Sequence, residues 1–317
     1  MSKNIDIIEQ LRQSNTKYKM TFLFLVLLNL GLWVFFIFIH KDKPVVSEVY
    51  PLIDPAREFI PQKNFIINIQ PLRDYINKLG EQEGLNLSVY YEQLNSGANI
   101  ALNKDKRFYF ASLVKLPVAM MTAKKVEVGD WSWDTELKVV PEDLDSGSGD
   151  MYKNTTKTSY TVREFMEALL VNSNNTAHNV LSKNFSQDEY QAIIDAIGLE
   201  ELFDTSFKGS AKEYTRLLRS LYTSSFLDRD GSQLILDLMS KSKFNKFLST
   251  GIPSDVKFSH KYGENTQEQI YADSGIVYVP GKPYVLTVIY KGSGPDAETK
   301  AEAIMKSISE YAYNISK

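Results

Sequence analysis

Cysteine is absent from the 317-residue sequence, which excludes disulfides, thiolate metal sites and a cysteine nucleophile together, without fixing a compartment. Histidine is almost as scarce. His40, His178 and His260 are scattered singly, so no zinc or other metal centre is expected; His178 reads as a helix-surface or packing residue and His260 as a neighbour of Lys261. Basic charge is not in excess: 36 Lys and Arg against 39 Asp and Glu give a net charge of −3 and a pI near 5.8. With no basic patch interleaved with aromatics, a nucleic-acid surface is excluded. The Gly/Ser tract Asp145-Ser146-Gly147-Ser148-Gly149 lacks the Gly-Lys-Ser/Thr ending and the strand-to-helix setting of a phosphate loop, and no cofactor is implied. Internal repeats and low-complexity tracts are also missing. What remains, 43% hydrophobic and 24% charged, is a globular chain able to bury one substantial core, with Trp131 and Trp133 as packing residues.

One hydrophobic run stands out. Met20 to Ile39 is uncharged and, at about 1.5 Å per residue, long enough to cross a hydrocarbon core of roughly 30 Å. It is followed by His40-Lys41-Asp42-Lys43 instead of small residues, which favours an uncleaved anchor over a signal peptide. Lys3, Arg12, Lys17 and Lys19 precede it, against Lys41 and Lys43 after it, placing residues 1–19 in the cytoplasm and the rest outside the cell membrane. Pro44, Pro51, Pro55 and Pro61 mark residues 40–67 as an extended tether with a short packed segment around Ala56 to Ile60, leaving 68–317 as the folded domain.

Within that domain, Pro71 to Glu83 has the period of an amphipathic helix, and Leu85 to Gln93 and Asn99 to Phe110 read as a hairpin. A helix is expected from Ser112 to near Gly129, then a loop from Val139 to Asn154. Further helices follow at Val162 to Val171, Asp188 to Ile197, Ser210 to Tyr222 and Gly231 to Ser242; Thr161 with Glu164 and Ser210 with Glu213 form capping boxes. Val256 to Lys261, Gln269 to Val279 and Tyr284 to Tyr290 read as strands, and Asp296 to Tyr313 as a terminal helix. Strands at both ends around a helical block imply one sheet whose first and last strands associate.

Chemistry concentrates at Ser112, at the end of the strand pattern, with Lys115 three residues on and on the same helix face. Ser-x-x-Lys alone is uninformative, since it also occurs at Ser14, Ser240 and Ser254. The ordered set is informative: Ser112-x-x-Lys115, then Ser173-Asn174-Asn175 after a helix, then Lys261-Tyr262-Gly263 in a strand region. FASLVKLPVA, LLVNSNNTAHNVL and FSHKYGE thereby resemble the motif regions of class A β-lactamases and penicillin-binding D,D-peptidases, over about four fifths of the chain. The resemblance implies an α+β, transpeptidase-like fold: a mixed antiparallel sheet flanked by helices, an all-helical subdomain, and here one preceding transmembrane helix.

It also implies roles. Ser112 would be the nucleophile and Lys115 its base, which requires the amine to be neutral and its pKa to fall through burial and a second cation. Ser173 would pass the proton to the departing amine. Asn175, Lys261 and Gly263 would bind substrate, Lys261 through its charge and Gly263 by close backbone approach, and the N–H groups of Ser112 and Glu264 would form the oxyanion hole. The ligands implied are β-lactams or D-Ala-D-Ala-like wall peptides. Three departures are visible: Asn174 replaces Asp, Tyr262 replaces Thr or Ser, and the interval from Gly198 to Ser210 is too short for the omega loop and its deacylating glutamate. Glu200, Glu201 and Asp204 are the acids in that interval, and slow deacylation is expected. An efficient β-lactamase using another base and a non-catalytic peptidoglycan sensor stay open as alternatives, as do the natural substrate and oligomeric state.

Overall fold

The structure, a computed structural model, describes residues 2–39, 67–154, 156–199 and 207–317, and the chain divides into two compact units, Met1–Phe59 and Ile60–Lys317. In the first unit α1 (Ser2–Ile39) is one continuous helix, so the basic N-terminal segment and the apolar run share a single element. Its stretch Tyr18–Phe36 spans 19 residues with a mean hydropathy of 1.9, long and apolar enough to cross a membrane, with no side chain of that stretch buried. The expected tether, with its segment at Ala56 to Ile60, lies outside the described residues.

The second unit begins with α2 (Gln70–Glu83), which carries Pro71 in its first turn and buries Leu72 and Ile76. Then come β1 (Leu87–Gln93), β2 (Asn99–Leu102), β3 (Arg107–Tyr109), α3 (Lys115–Glu127), β4 (Glu136–Lys138) and β5 (Ser159–Thr161). The helical block is α4 (Val162–Val171), α5 (Asn175–Ser182) and α6 (Gln187–Ile197), followed by β6 (Lys208–Ser210), α7 (Ala211–Tyr222) and α8 (Arg229–Ser240). The chain closes with β7 (Phe258–Asn265), β8 (Ile270–Val277), β9 (Tyr284–Lys291) and α9 (Ala297–Ser316).

The main sheet has the order β2-β1-β9-β8-β7 and is antiparallel throughout, with β1 and β9 paired from Leu87↔Tyr290 to Gln93↔Tyr284. The first and last strands of the unit therefore associate. Alternation along the strands divides the core between two faces. Val89, Tyr91, Leu286 and Val288 pack with Leu72 and Ile76 of α2 and Met305 and Ile308 of α9. Ala272, Ile276, Val285 and Ile289 pack with the helical block, including Phe165 and Leu169 of α4 and Leu217 of α7. Each of the Val, Leu, Ile, Met and Phe side chains among them contributes about 1.5–3 kcal/mol on full burial.

Two local differences from the sequence reading bear on the site. The expected long strand from Asn99 to Phe110 is broken at Asn103, which adopts a positive φ of 46° and donates from Nδ2 to the carbonyls of Gly84 at 2.8 Å and Leu87 at 2.7 Å. That turn releases β3 from the main sheet to pair with β6 instead. Helix α3 is buried around its whole circumference from Lys115 to Ala123, with α4, α5, α6 and α8 packed around it. The capping boxes of Thr161 with Glu164 and Ser210 with Glu213 are present as read, each worth about 1 kcal/mol.

Candidate active site

Ser112 stands on a 3₁₀ turn, Ala111–Val114, entered through Ala111 at φ 44°, with the α-helix beginning only at Lys115. A 3₁₀ turn has three residues per revolution, so side chains at i and i+3 eclipse. This aligns Lys115 over Ser112 more directly than an α-helix would, and Lys115 Nζ lies 3.0 Å from Ser112 Oγ. The same amine reaches Ser173 O at 2.5 Å, Ser173 Oγ at 3.1 Å and Asn175 Oδ1 at 2.6 Å. Its two shortest contacts are to oxygens that can only accept. A neutral amine has two N–H groups for those oxygens and a lone pair left for a hydroxyl proton. Burial drives Lys115 in that direction, lowering its pKa to about 7 against the opposing pull of the Asp145 carboxylate.

The second motif is the junction of α4 and α5. Ser173 takes a φ of 52°, in the left-handed region, at the turn where its carbonyl accepts from Lys115. Asn174 then caps α5, accepting from Ala177 N at 3.0 Å, and Asn175 opens the helix. The amide of Asn175 is oriented from outside. Its Nδ2 donates to Asp145 Oδ1 at 3.0 Å, so its Oδ1 is the atom turned to Lys115. The backbone joins the same two segments, Asn175 N donating to Ser148 O at 3.0 Å, while a Cβ on Gly149 would stand 2.1 Å from Asn174 Nδ2.

The third motif lies on β7, the edge strand beside the 3₁₀ turn. Lys261 is 1% exposed and donates to Ser173 Oγ at 2.8 Å and to Tyr262 O at 3.0 Å. Burial holds its pKa well below the ordinary lysine value, the Lys115 charge acts in the same direction, and Asp273 opposes both. Ser173 Oγ is thus held between two amines. Alternation puts Tyr262 on the opposite face, where it packs against Phe244 at 4.1 Å and Phe247 at 6.2 Å between ring centroids. A Cβ on Gly263 would approach Phe110 O to 2.8 Å, Ser112 N to 2.9 Å and Leu113 N to 3.1 Å, so only glycine lets the strand lie against the turn that carries Ser112. The Glu264 carboxyl is half-buried and raised in pKa by burial, with Lys246 opposing and Glu298 and Glu302 adding to the rise.

Ser112, Lys115, Ser173, Asn175, Lys261 and Gly263 therefore converge. Two further residues stand beside Lys115. The family resemblance places the Asp145–Gly149 tract on a loop at the active-site rim, and nothing in the sequence singles out the Asp145 carboxylate within it. His178, expected as a helix-surface or packing residue, lies in the field of Lys115, and its pKa is depressed to about 4, by burial first and the Lys115 charge second. His260 pairs through Nδ1 with Asp273 Oδ1 at 2.9 Å, and Leu248 N donates to Asp273 Oδ2 at 3.2 Å. Among the described residues no cluster of three or more His, Asp or Glu side chains could hold a metal ion. Glu200, Glu201 and Asp204 lie outside the described residues.

The chain is similar to known proteins over most of its length. Beta-lactamase 3 of Bacillus cereus is 23% identical over 243 residues, covering 70% of this chain and 74% of that protein. The β-lactamase of Bacillus licheniformis is 22% identical over 244 residues, covering 72% and 78%. Among solved structures, a PBP-A mutant captured as an acyl-enzyme complex with penicillin G superposes with a TM-score of 0.70 at 22% identity, covering 78% of this chain and 96% of that one. A β-lactamase from Chitinophaga pinensis gives 0.69 at 19% identity, covering 78% and 100%. The family model described as the Beta-lactamase enzyme family matches residues 71–315. The chain belongs to that family of serine hydrolases.

Proposed function

We propose that the protein is a membrane-anchored, extracytoplasmic active-site serine hydrolase that forms an acyl-enzyme on Ser112 with β-lactams or D-Ala-D-Ala-like wall peptides. The observation that carries this reading is the placement of Lys115 Nζ, 3.0 Å from Ser112 Oγ and anchored by the Ser173 carbonyl and Asn175 Oδ1. Ser112 Oγ attacks the amide carbonyl as its proton passes to Lys115. The tetrahedral oxyanion is met by the N–H groups of Ser112 and Glu264. As the C–N bond breaks, Lys115 returns a proton through Ser173 Oγ to the departing amine. Lys261, behind Ser173, attracts the carboxylate that β-lactams and peptide termini share.

Residues 20–39 serve as a single-pass anchor with 1–19 cytoplasmic, 40–67 as the tether and 68–317 as the hydrolase domain. Deacylation is slow because residues 198–210 are too few to supply the glutamate of an omega loop. Intact mass of the residue 44–317 domain, followed over time with a penicillin and a cephalosporin beside Ser112→Ala, tests both parts. A Ser112-dependent adduct lasting hours is expected. No adduct and no turnover would overturn the acyl-enzyme reading, and fast turnover without standing adduct would overturn slow deacylation.

A further inference from the structure

Asp145 sits on the rim loop, 30 residues before Asn175 in sequence, yet it is built into the second motif. Its Oδ1 accepts from Asn175 Nδ2 at 3.0 Å and from Gly147 N at 2.7 Å, and Thr176 Oγ1 accepts from Asp145 N at 3.1 Å. These contacts fix the carboxylate beside α5 and leave the Asn175 amide only one orientation. An amide whose oxygen and nitrogen exchanged places would set Oδ1 against a carboxylate and Nδ2 against an amine, opposing two interactions at once. We propose that Asp145 is a positioning residue for acylation, holding Asn175 with its oxygen on Lys115 and supplying, among the described residues, the carboxylate charge that faces the Lys115 amine. This rests on the reading of Ser112 as the acylated nucleophile.

The charged and titratable groups around Lys115 come from several elements: Asp145 from the rim loop, His178 from α5 and Lys261 from β7, with Asp273 of β8 behind Lys261. Among the described residues Asp145 is the group that favours the protonated form of Lys115, against burial. Removing its charge therefore lowers the pH at which Lys115 becomes a free base. The bond to Asn175 is a separate contribution, because an asparagine at 145 keeps an acceptor oxygen but loses the charge, whereas an alanine loses both.

The test is the pH dependence of the acylation rate constant for a neutral-side-chain penicillin, read by intact mass on the full chain in detergent, for wild type, Asp145→Asn and Asp145→Ala. The Ser112→Ala variant runs alongside. Asp145→Asn is expected to shift the acid limb to lower pH at a plateau within a few-fold of wild type. Asp145→Ala is expected to show the same shift and a plateau at least about tenfold lower, the size of one lost hydrogen bond to a charged group. An acid limb at the wild-type pH in both variants would overturn the charge role, and an Asp145→Ala plateau equal to that of Asp145→Asn would overturn the orienting role. A wild type that forms no Ser112 adduct would instead reject the acyl-enzyme reading on which the proposal stands.

Discussion

Replacing Gly263 with alanine isolates the contact between β7 and the nucleophile turn. The added methyl would meet three backbone atoms, Phe110 O at 2.8 Å, Ser112 N at 2.9 Å and Leu113 N at 3.1 Å, none of which can swing away as a side chain could. Relaxing the closest of these to ordinary contact of about 3.4 Å requires β7 and the 3₁₀ turn to separate by roughly 0.6 Å. Oxyanion donors act at about 2.7–3.1 Å from the developing charge, so that separation removes one of the two N–H groups from range. Losing one donor costs about 2.7–4 kcal/mol, or roughly 10²–10³ in rate. The fold should lose only about 1–3 kcal/mol, as for other overpacked sites. The assay is the second-order rate of Ser112 acylation by a penicillin, corrected for the folded fraction from urea unfolding. A Gly263→Ala protein that is folded and acylates within threefold of wild type would refute the reasoning, because the strand would then not be setting the oxyanion geometry.

Acylation should also rise with pH through about 7, since Lys115 accepts a proton only when neutral; a rate flat from pH 5 to 9 would exclude it as the base. The stability effect has the matching sign. Between about 7 and the ordinary lysine value of 10.5 the unfolded chain holds a proton the folded chain has released, so stability climbs with pH across that window and the cost of burying the charge is full below it. Lys115→Met should accordingly gain about 1–2 kcal/mol near pH 6 while acylation drops about 10²–10⁴-fold, checked by urea unfolding and adduct formation. Gly149→Ala places a Cβ 2.1 Å from Asn174 Nδ2 at a φ of +81°, and should destabilise the domain by at least about 2 kcal/mol in the same unfolding assay. Thr287→Val breaks a buried hydroxyl chain in which Thr287 Oγ1 meets Thr215 Oγ1 at 2.7 Å and Ser274 Oγ at 2.5 Å, and should cost about 1–3 kcal/mol in melting or urea experiments.

Much of the fold was legible because its signals are local. Period-two runs marked the strands, and capping boxes marked the starts of α4 and α7 to the residue. Helix α5 was missed although its cap Asn174 and its apolar spacing at Ala177, Val180 and Leu181 were in plain view, because eight residues carry too little period to compete with the motif reading of the same stretch. The break at Asn103 was hidden for another reason: a positive φ at a non-glycine residue is imposed by the carbonyls of Gly84 and Leu87, which come from a different segment. The meeting of Ser112, Lys115, Ser173 and Lys261 followed from the ordered motifs. Asp145 did not, since its place depends on a loop closing over Asn175 through contacts 30 residues apart, for which no sequence period exists.

The pairing of β1 with β9 sets the order in which the hydrolase unit can be made. Ser112 is synthesised early, but β7 follows it by more than a hundred residues, and the central place in the sheet waits for Tyr284–Lys291. Until then β1 and β8 each present an unpaired apolar edge, the condition in which chains join to one another. Pairing β1 with β9 closes a long loop before local contacts reward it, which is expected to slow folding. A chain that stops before Tyr284 therefore lacks the central strand that joins β1 to β8, and is expected to expose both edges to other chains.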